Sequence, residues 1–211
     1  MVSYDSVMTR AVARTARGVA RMAQILDAAA MVFARVGYDR ATTNAIAAEA
    51  AISPGSLYQF FADKAAIAAA VGARLASELE EAQGVALADL DPTGVSLSEL
   101  VERVLDPLVR FAVERPAFPE LFGRAALPDA ALAPIAAAKA ALGERSADLL
   151  VLRMPHLDRD DAEEAARIAH LLVHGAMAEM AADPVVRREV TRAVVAYLAT
   201  KDVASTNERP D

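Results

Sequence analysis

The sequence predicts an all-α fold of about nine helices, on three observations. Apolar residues recur at intervals of three and four along most of the chain, which is the spacing of one helix face. Alanine and leucine dominate, β-branched runs are short, and no alternating apolar and polar stretch typical of a strand is present. Capping residues and prolines, such as Asp63, Asp158 and Pro184, divide the chain into segments of helical length.

The first predicted helix runs from about Val19 to Val36. Its apolar stripe consists of Ile25, Ala29, Val32, Phe33 and Val36. Gly37 suits a left-handed residue after the last turn, and Tyr38 can fold back on that turn. Residues 1–18 are predicted to form a flexible basic arm. This arm either reaches DNA or is a solvated tail.

Residues 42–64 predict two short helices joined by a tight turn, followed by the start of a further helix. Thr42 or Thr43 can cap the first of them, and Ser53 with Pro54 begins the second. In the second, the inward face is Leu57, Phe60 and Phe61 and the outward face is Gly55, Ser56, Tyr58 and Gln59. This arrangement is typical of a helix-turn-helix that offers side chains to a DNA groove. A plain three-helix bundle is the alternative.

The charge of the chain is distributed unevenly. Residues 1–64 carry seven Lys/Arg and five Asp/Glu, whereas the remaining residues carry 15 and 24, within a net charge of −7. A basic end on an acidic protein is the asymmetry expected of a DNA-binding head on a body that does not bind DNA.

Residues 21–71 resemble the DNA-binding domain of the TetR (tetracycline-repressor-like) transcriptional regulators. The resemblance rests on Phe33 and Gly37, on Thr42-Thr43, on Ser53-x-Gly55-Ser56-Leu57-Tyr58-x-Phe60-Phe61, and on Lys64. It implies phosphate contacts by Thr42, Thr43, Tyr58 and Lys64. It also implies that Ser53, Pro54, Gly55, Ser56 and Gln59 face the bases. Tyr58 as a core residue, and one of the two threonines as a pure cap, are the competing interpretations.

The rest of the chain predicts further helices. Their expected ranges are 64–87, 96–114 with a kink at Pro107, 116–123, 128–152, 159–182 and 184–200. We therefore expect a helix-turn-helix domain over residues 19–66, a ligand-binding and dimerisation domain over 67–202, and a disordered tail over 203–211.

The last two predicted helices carry stripes of small and apolar residues. The resemblance implies that they form a four-helix dimer interface with a second copy, through Ala165, Ala169, Leu172, Ala176, Val190, Val194 and Tyr197. The alternative is that both stripes simply close the core of one chain.

The resemblance also implies an effector site in the body. Its predicted residues are Leu105, Leu108, Phe111, Phe118, Phe122, His174 and Met177, and ordinary core packing is the alternative for each of them. An apolar lining of this kind fits a small lipophilic molecule. A bulky substitution at Phe111 or Phe122 is expected to block the effector response without affecting DNA binding.

Enzyme and membrane functions have little support in the sequence. The chain lacks cysteine, and it shows no glycine-rich phosphate loop, nucleophile elbow or paired-carboxylate motif. His170 and His174 have the spacing of a two-histidine metal pair, but no third ligand is evident, so we expect no metal and no cofactor. No signal peptide or membrane span is expected.

The sequence therefore predicts a homodimeric, ligand-responsive repressor that is not an enzyme. Its partners are expected to be a palindromic double-stranded DNA operator and a small-molecule effector, in the bacterial cytoplasm on the nucleoid. The alternative is an all-helical small-molecule-binding protein or enzyme whose N-terminal head does not read DNA.

Overall fold

The computed structural model describes residues 4–123, 127 and 129–203. In that part of the chain every regular element is a helix, which confirms the predicted fold class. The helices are α1 Tyr4–Arg40, α2 Thr43–Glu49, α3 Pro54–Tyr58, α4 Lys64–Leu87, α5 Leu97–Glu114, α6 Ala117–Phe122, α7 Asp129–Arg153, α8 Arg159–Gly175, α9 Met177–Ala182 and α10 Pro184–Val203. Of the predicted tail over 203–211, residues 204–211 lie outside the described part.

Helix α1 starts earlier than the sequence predicted. It begins at Tyr4 rather than near Val19, so the backbone of the expected arm continues the helix. No proline interrupts this segment, and the single Gly18 weakens a helix without ending it. The side chains of Arg10 and Arg14 lie outside the described residues.

Gly37 changes the chain direction at the end of α1. Its φ of 77° is positive, as expected, but its ψ of 160° is extended rather than left-handed helical. Only glycine adopts that combination readily. Tyr38 then turns back, and its ring lies 5.8 Å from the ring of Phe33.

The predicted single helix over 159–182 is wrong, because it divides at Ala176. This residue has φ −109° and ψ 6°, and its amide donates to the carbonyls of Val173 and His174. Gly175 precedes it and weakens the helix there. The break produces α8 and α9, which accounts for the tenth helix. Conversely, α5 runs through Pro107 as one helix.

The hydrophobic core extends from the head into the body. Phe33, Ile46, Leu57 and Ile67 are fully buried in the head. Helix α4 connects head and body and packs closely on α7, since a Cβ at Gly72 would lie 3.1 Å from a side-chain carbon of Ile135. Helix α6 packs against both α1 and α4. Within the described residues, no helix combines the length and the apolar character needed to cross a membrane.

Candidate DNA-binding surface and ligand cavity

Side-chain caps and an unusual turn shape the helix-turn-helix. The Thr42 side chain accepts from the amide of Ala45 at 3.1 Å, and that of Ser53 accepts from Ser56 at 3.1 Å. Ala51 in the connecting turn has a φ of 51°, which is uncommon for a residue other than glycine. Nothing in the sequence marked Ala51 as a position of positive φ.

The outward face of α3 is available to a partner. Tyr58 is 52% exposed, so its interpretation as a core residue is wrong. Its hydroxyl lies 3.0 Å from the hydroxyl of Thr43, which joins α2 and α3 at the surface. The other predicted DNA-facing residues are exposed or half-buried: Thr42, Ser53, Pro54, Gly55, Ser56 and Gln59. The structure thus brings the predicted residues of α2 and α3 to one surface.

Lys64 was predicted to contact phosphate, but in the structure it also forms hydrogen bonds within the protein. Its Nζ donates to the carbonyls of Tyr38 at 2.8 Å and Asp39 at 3.1 Å. The same atom lies 4.4 Å from the centroid of the Tyr38 ring. These carbonyls at the end of α1 explain why a cation is tolerated in the first turn of α4, where it opposes the helix dipole. Lys64 therefore fastens α4 to the end of α1.

Replacing Lys64 by methionine is expected to destabilise the protein. The variant loses two hydrogen bonds from a charged donor and one cation–π contact, which together contribute about 1–3 kcal/mol. Denaturant unfolding followed by circular dichroism measures this loss. Lys201→Met is the matched control, because the Lys201 ammonium lies 5.9 Å from the Tyr197 ring and forms no described hydrogen bond to another helix. Equal unfolding midpoints for Lys64→Met and the unsubstituted chain contradict the prediction.

Gln24 is a residue of the head that the sequence interpretation missed. Its side-chain amide donates to the carbonyl of Ala50 at 2.7 Å, and its oxygen accepts from Arg21 at 3.1 Å. Gln24 thereby fixes α1 to the turn between α2 and α3. A polar residue directly before the apolar stripe of α1 was the available signal.

A cavity of about 530 Å³ lies in the body, lined by α4 to α9. This volume is within the usual range for small-molecule sites. Five of the seven predicted effector residues line it: Leu108, Phe118, Phe122, His174 and Met177. Leu105 and Phe111 do not. Phe111 is buried and packs edge-on against Phe118 at 5.2 Å, so it lies behind a cavity-lining residue rather than in the lining itself.

The polar groups of the cavity are concentrated on α7 and α8. Lys139 Nζ lies 3.3 Å from His174 Nε2, and His170 Nε2 lies 3.1 Å from the Ser146 hydroxyl. Burial lowers the pKa of Lys139 and of His170. Burial and the charge of Lys139 lower the pKa of His174. The two histidines thus have separate partners. In the described part of the chain, no three potential metal-ligating side chains come together.

Helix α6 joins the cavity to the head. Phe118 and Phe122 line the cavity, while the Glu120 carboxylate accepts from the backbone amide of Tyr38 at 3.0 Å. The same carboxylate lies 3.1 Å from where a Cβ on Gly37 would stand. Helix α6 therefore contacts both the cavity and the end of α1.

Several residues predicted for the dimer interface are internal. Ala165, Ala169 and Val194 are buried within the single chain, where α8 packs on α7 and α10. Ala176, Val190 and Tyr197 are half-buried, whereas Leu172 is 41% exposed. The burial of these three residues favours the alternative that their stripes close the core of one chain.

The fold of the head and the surface of α2 and α3 have the arrangement of a helix-turn-helix DNA-binding domain. Residues 25–71 match the family described as bacterial regulatory proteins, tetR family. The A-factor receptor protein of Streptomyces griseus is 42% identical over 79 residues, which are 37% of this chain and 29% of that protein. The N-terminal part of the chain is thus similar to the DNA-binding domain of the TetR family, and the chain spans less than a third of the length of the curated relative that it matches.

Solved structures of family members share the fold over most of the chain. A TetR-like transcriptional regulator from Rhodococcus is 25% identical, with a TM-score of 0.67, and the match covers 87% of this chain and 96% of that one. A TetR-family transcriptional regulator from Streptomyces coelicolor is 26% identical, with a TM-score of 0.60 and coverage of 85% and 98%.

Proposed function

We propose that the protein is a homodimeric transcriptional repressor that leaves its operator when a small molecule occupies the body cavity. The observation that carries this proposal is the position of α6, which lines the cavity with Phe118 and Phe122 and bonds to the head through Glu120. The relative named as a receptor supports a response to a ligand. A bacterial regulator of this kind acts on chromosomal DNA in the cytoplasm.

DNA recognition in this proposal uses two heads. Two recognition helices enter successive major grooves about 34–36 Å apart, so the operator is palindromic and its half-site spacing follows the protein dimer. Thr43, Tyr58 and Lys64 contact phosphate, and Ser53 to Ser56 with Gln59 face the bases. A ligand releases the DNA only if it binds more tightly to the state whose heads do not fit both grooves.

The dimer interface in this proposal is the exposed face of α8 and α10 rather than the buried stripe. Leu172 on α8 and Ala193 and Ala196 on α10 are exposed apolar residues on these packed helices. Close helix approach favours small residues at such a face. Symmetry then brings the same face of a second copy against it.

Substituting Leu172 by glutamate is expected to shift the protein from dimer to monomer. The change places a charge in the proposed apolar interface, where burying it is costly. Sedimentation velocity measures the oligomeric state, and operator affinity is expected to fall with it. Val85→Glu is the matched control, because Val85 is 77% exposed on α4. A dimer that persists in Leu172→Glu shows that the interface lies elsewhere.

The proposed function is tested by binding to DNA from the region upstream of the protein's own gene. Scrambled DNA of equal length serves as the control, across a series of salt concentrations. Specific binding whose affinity falls steeply with salt supports a DNA regulator, because phosphate contacts release counterions. If both fragments bind weakly and equally, the assay is repeated with fragments selected from the whole genome. The absence of specific binding there favours the alternative, a small-molecule-binding protein whose head does not read DNA.

A further inference from the structure

Lys139 is placed unusually for a lysine in a helical body. It lines the apolar cavity from α7, and its described polar contact is the imidazole of His174 at 3.3 Å. No carboxylate among the described residues forms an ion pair with it. The acids of the same cavity are Glu144 and Glu163, and Glu163 pairs with Arg159 at 2.6 Å. Lys139 thus brings a positive charge to the cavity without a described counter-charge.

Lys139 is exposed, and its positive charge lies next to an apolar wall of the cavity. One side of the cavity consists of the apolar side chains of Leu79, Leu108, Phe118, Phe122 and Met177. An anionic group that enters the cavity together with an apolar body is stabilised by pairing with this cation. Partial burial lowers the pKa of Lys139 and of His174, and the charge of Lys139 further lowers the pKa of His174. Neither group has a described role in the packing of the core.

The two polar groups are arranged to hold one anionic group together. Lys139 lies on α7 and His174 on α8, and their nitrogens are 3.3 Å apart, so an oxygen anion beside the pair accepts from the lysine ammonium and from the imidazole when Nε2 carries the proton. Hydrogen bonds of this kind are stronger than those between neutral groups. His170, one helical turn before His174, adds a further polar group bonded to Ser146. Phe118 and Phe122 on α6 line the same cavity as this pair.

We propose that the effector is an amphipathic anion whose acidic head binds Lys139 and His174 and whose apolar body lies against Phe118 and Phe122. This inference rests on the proposed function, because it names the chemical class of the ligand for that cavity. The head is a carboxylate or a phosphate, since both offer oxygen anions of suitable size. The apolar body fills the space next to α6, the helix that contacts the head domain.

Calorimetric titration of the full-length protein tests the inference. The probes are octanoate, decanoate and dodecanoate, with decyl phosphate, decanol and decyltrimethylammonium for comparison, each below its micelle-forming concentration. We expect an anion to bind at least about tenfold more tightly than decanol. Decyl phosphate against decanoate distinguishes the two head groups. Equal affinity for decanoate, decyl phosphate and decanol, tighter binding of the cation, or no binding by any anion overturns the inference.

Variants identify the groups that hold the anionic head. Lys139→Met and His174→Gln are expected to lose about tenfold or more in affinity for the anion while decanol binding is unchanged, and Lys139→Arg is expected to retain the preference. Lys201→Met, outside the cavity, is the control. Unchanged anion affinity in Lys139→Met overturns the assignment.

Operator binding measured in the same samples separates the two proposals. Anion binding that leaves operator affinity unchanged refutes the release mechanism, whereas operator binding without anion binding refutes only the ligand class.

Discussion

Tyr58→Ala is expected to weaken operator binding by about 100-fold while leaving the fold intact. Its hydroxyl lies on the exposed face of α3, 3.0 Å from that of Thr43, in a position to donate to a phosphate. A hydrogen bond to a charged group contributes about 1.5–3 kcal/mol. Because both heads of a dimer lose it, the total of about 3 kcal/mol corresponds to about two orders of magnitude in Kd. Fluorescence anisotropy with a labelled operator measures the effect.

Two further variants separate the hydroxyl from the ring. Tyr58→Phe is expected to lose nearly as much affinity as Tyr58→Ala if the hydroxyl makes the contact. Thr43→Val tests whether the Thr43 hydroxyl orients the Tyr58 hydroxyl. Since Tyr58 is uncharged, the slope of affinity against salt concentration is expected to stay constant in all three variants. Operator affinity within twofold of the unsubstituted protein in Tyr58→Ala contradicts the assignment. Loss of the folded state in Tyr58→Ala, measured by circular dichroism, contradicts the expectation that Tyr58 acts at the surface without supporting the fold.

Glu120→Ala is expected to uncouple the cavity from the head. The Glu120 carboxylate accepts a hydrogen bond from the Tyr38 amide at 3.0 Å. This hydrogen bond links α6 to the end of α1. Coupling between two binding sites typically amounts to about 1–3 kcal/mol. Without the carboxylate, a displacement of α6 no longer pulls on Tyr38. The ratio of operator affinities with and without ligand is therefore expected to fall to within about twofold of one.

The coupling is measured with decanoate or another compound shown to occupy the cavity. Ligand affinity in the absence of DNA is expected to stay unchanged in Glu120→Ala, because Glu120 does not line the cavity. By reciprocity, the same loss of coupling must appear when ligand affinity is measured with and without operator. Glu114→Ala is the control, since Glu114 is exposed on α5. Full release of the operator from Glu120→Ala by the ligand contradicts this role for α6.

Local signals in the sequence were sufficient for most of the helices. The range predicted for α4, 64–87, is the range observed, because Asp63 caps it and its apolar pattern is continuous. The cap of α5 by Ser96 and the positive φ of Gly37 follow from the same local chemistry. The break at Ala176 was missed because a single glycine before it is a weak signal, and tertiary packing determines whether the helix continues.

The cavity and the dimer face were only partly predictable. Helical periodicity identifies which residues are apolar on one face, but not whether that face meets another helix of the same chain, a ligand or a second copy. Ala165, Ala169 and Val194 have the pattern of an interface and are buried inside the chain. Leu105 and Phe111 are apolar and were predicted to belong to the effector site, but they do not line the cavity.

The sequence by itself therefore determined the helical fold, the helix-turn-helix and the resemblance to the TetR regulators, because caps, turns and short motifs act within a few residues of the chain. Only the tertiary structure placed Lys139 beside His174, Glu120 beside Tyr38 and Lys64 on the carbonyls of α1. These pairs are between 26 and 82 residues apart in the chain. Their contact depends on how whole helices pack, and packing is decided by burial summed over the entire chain rather than by any local pattern.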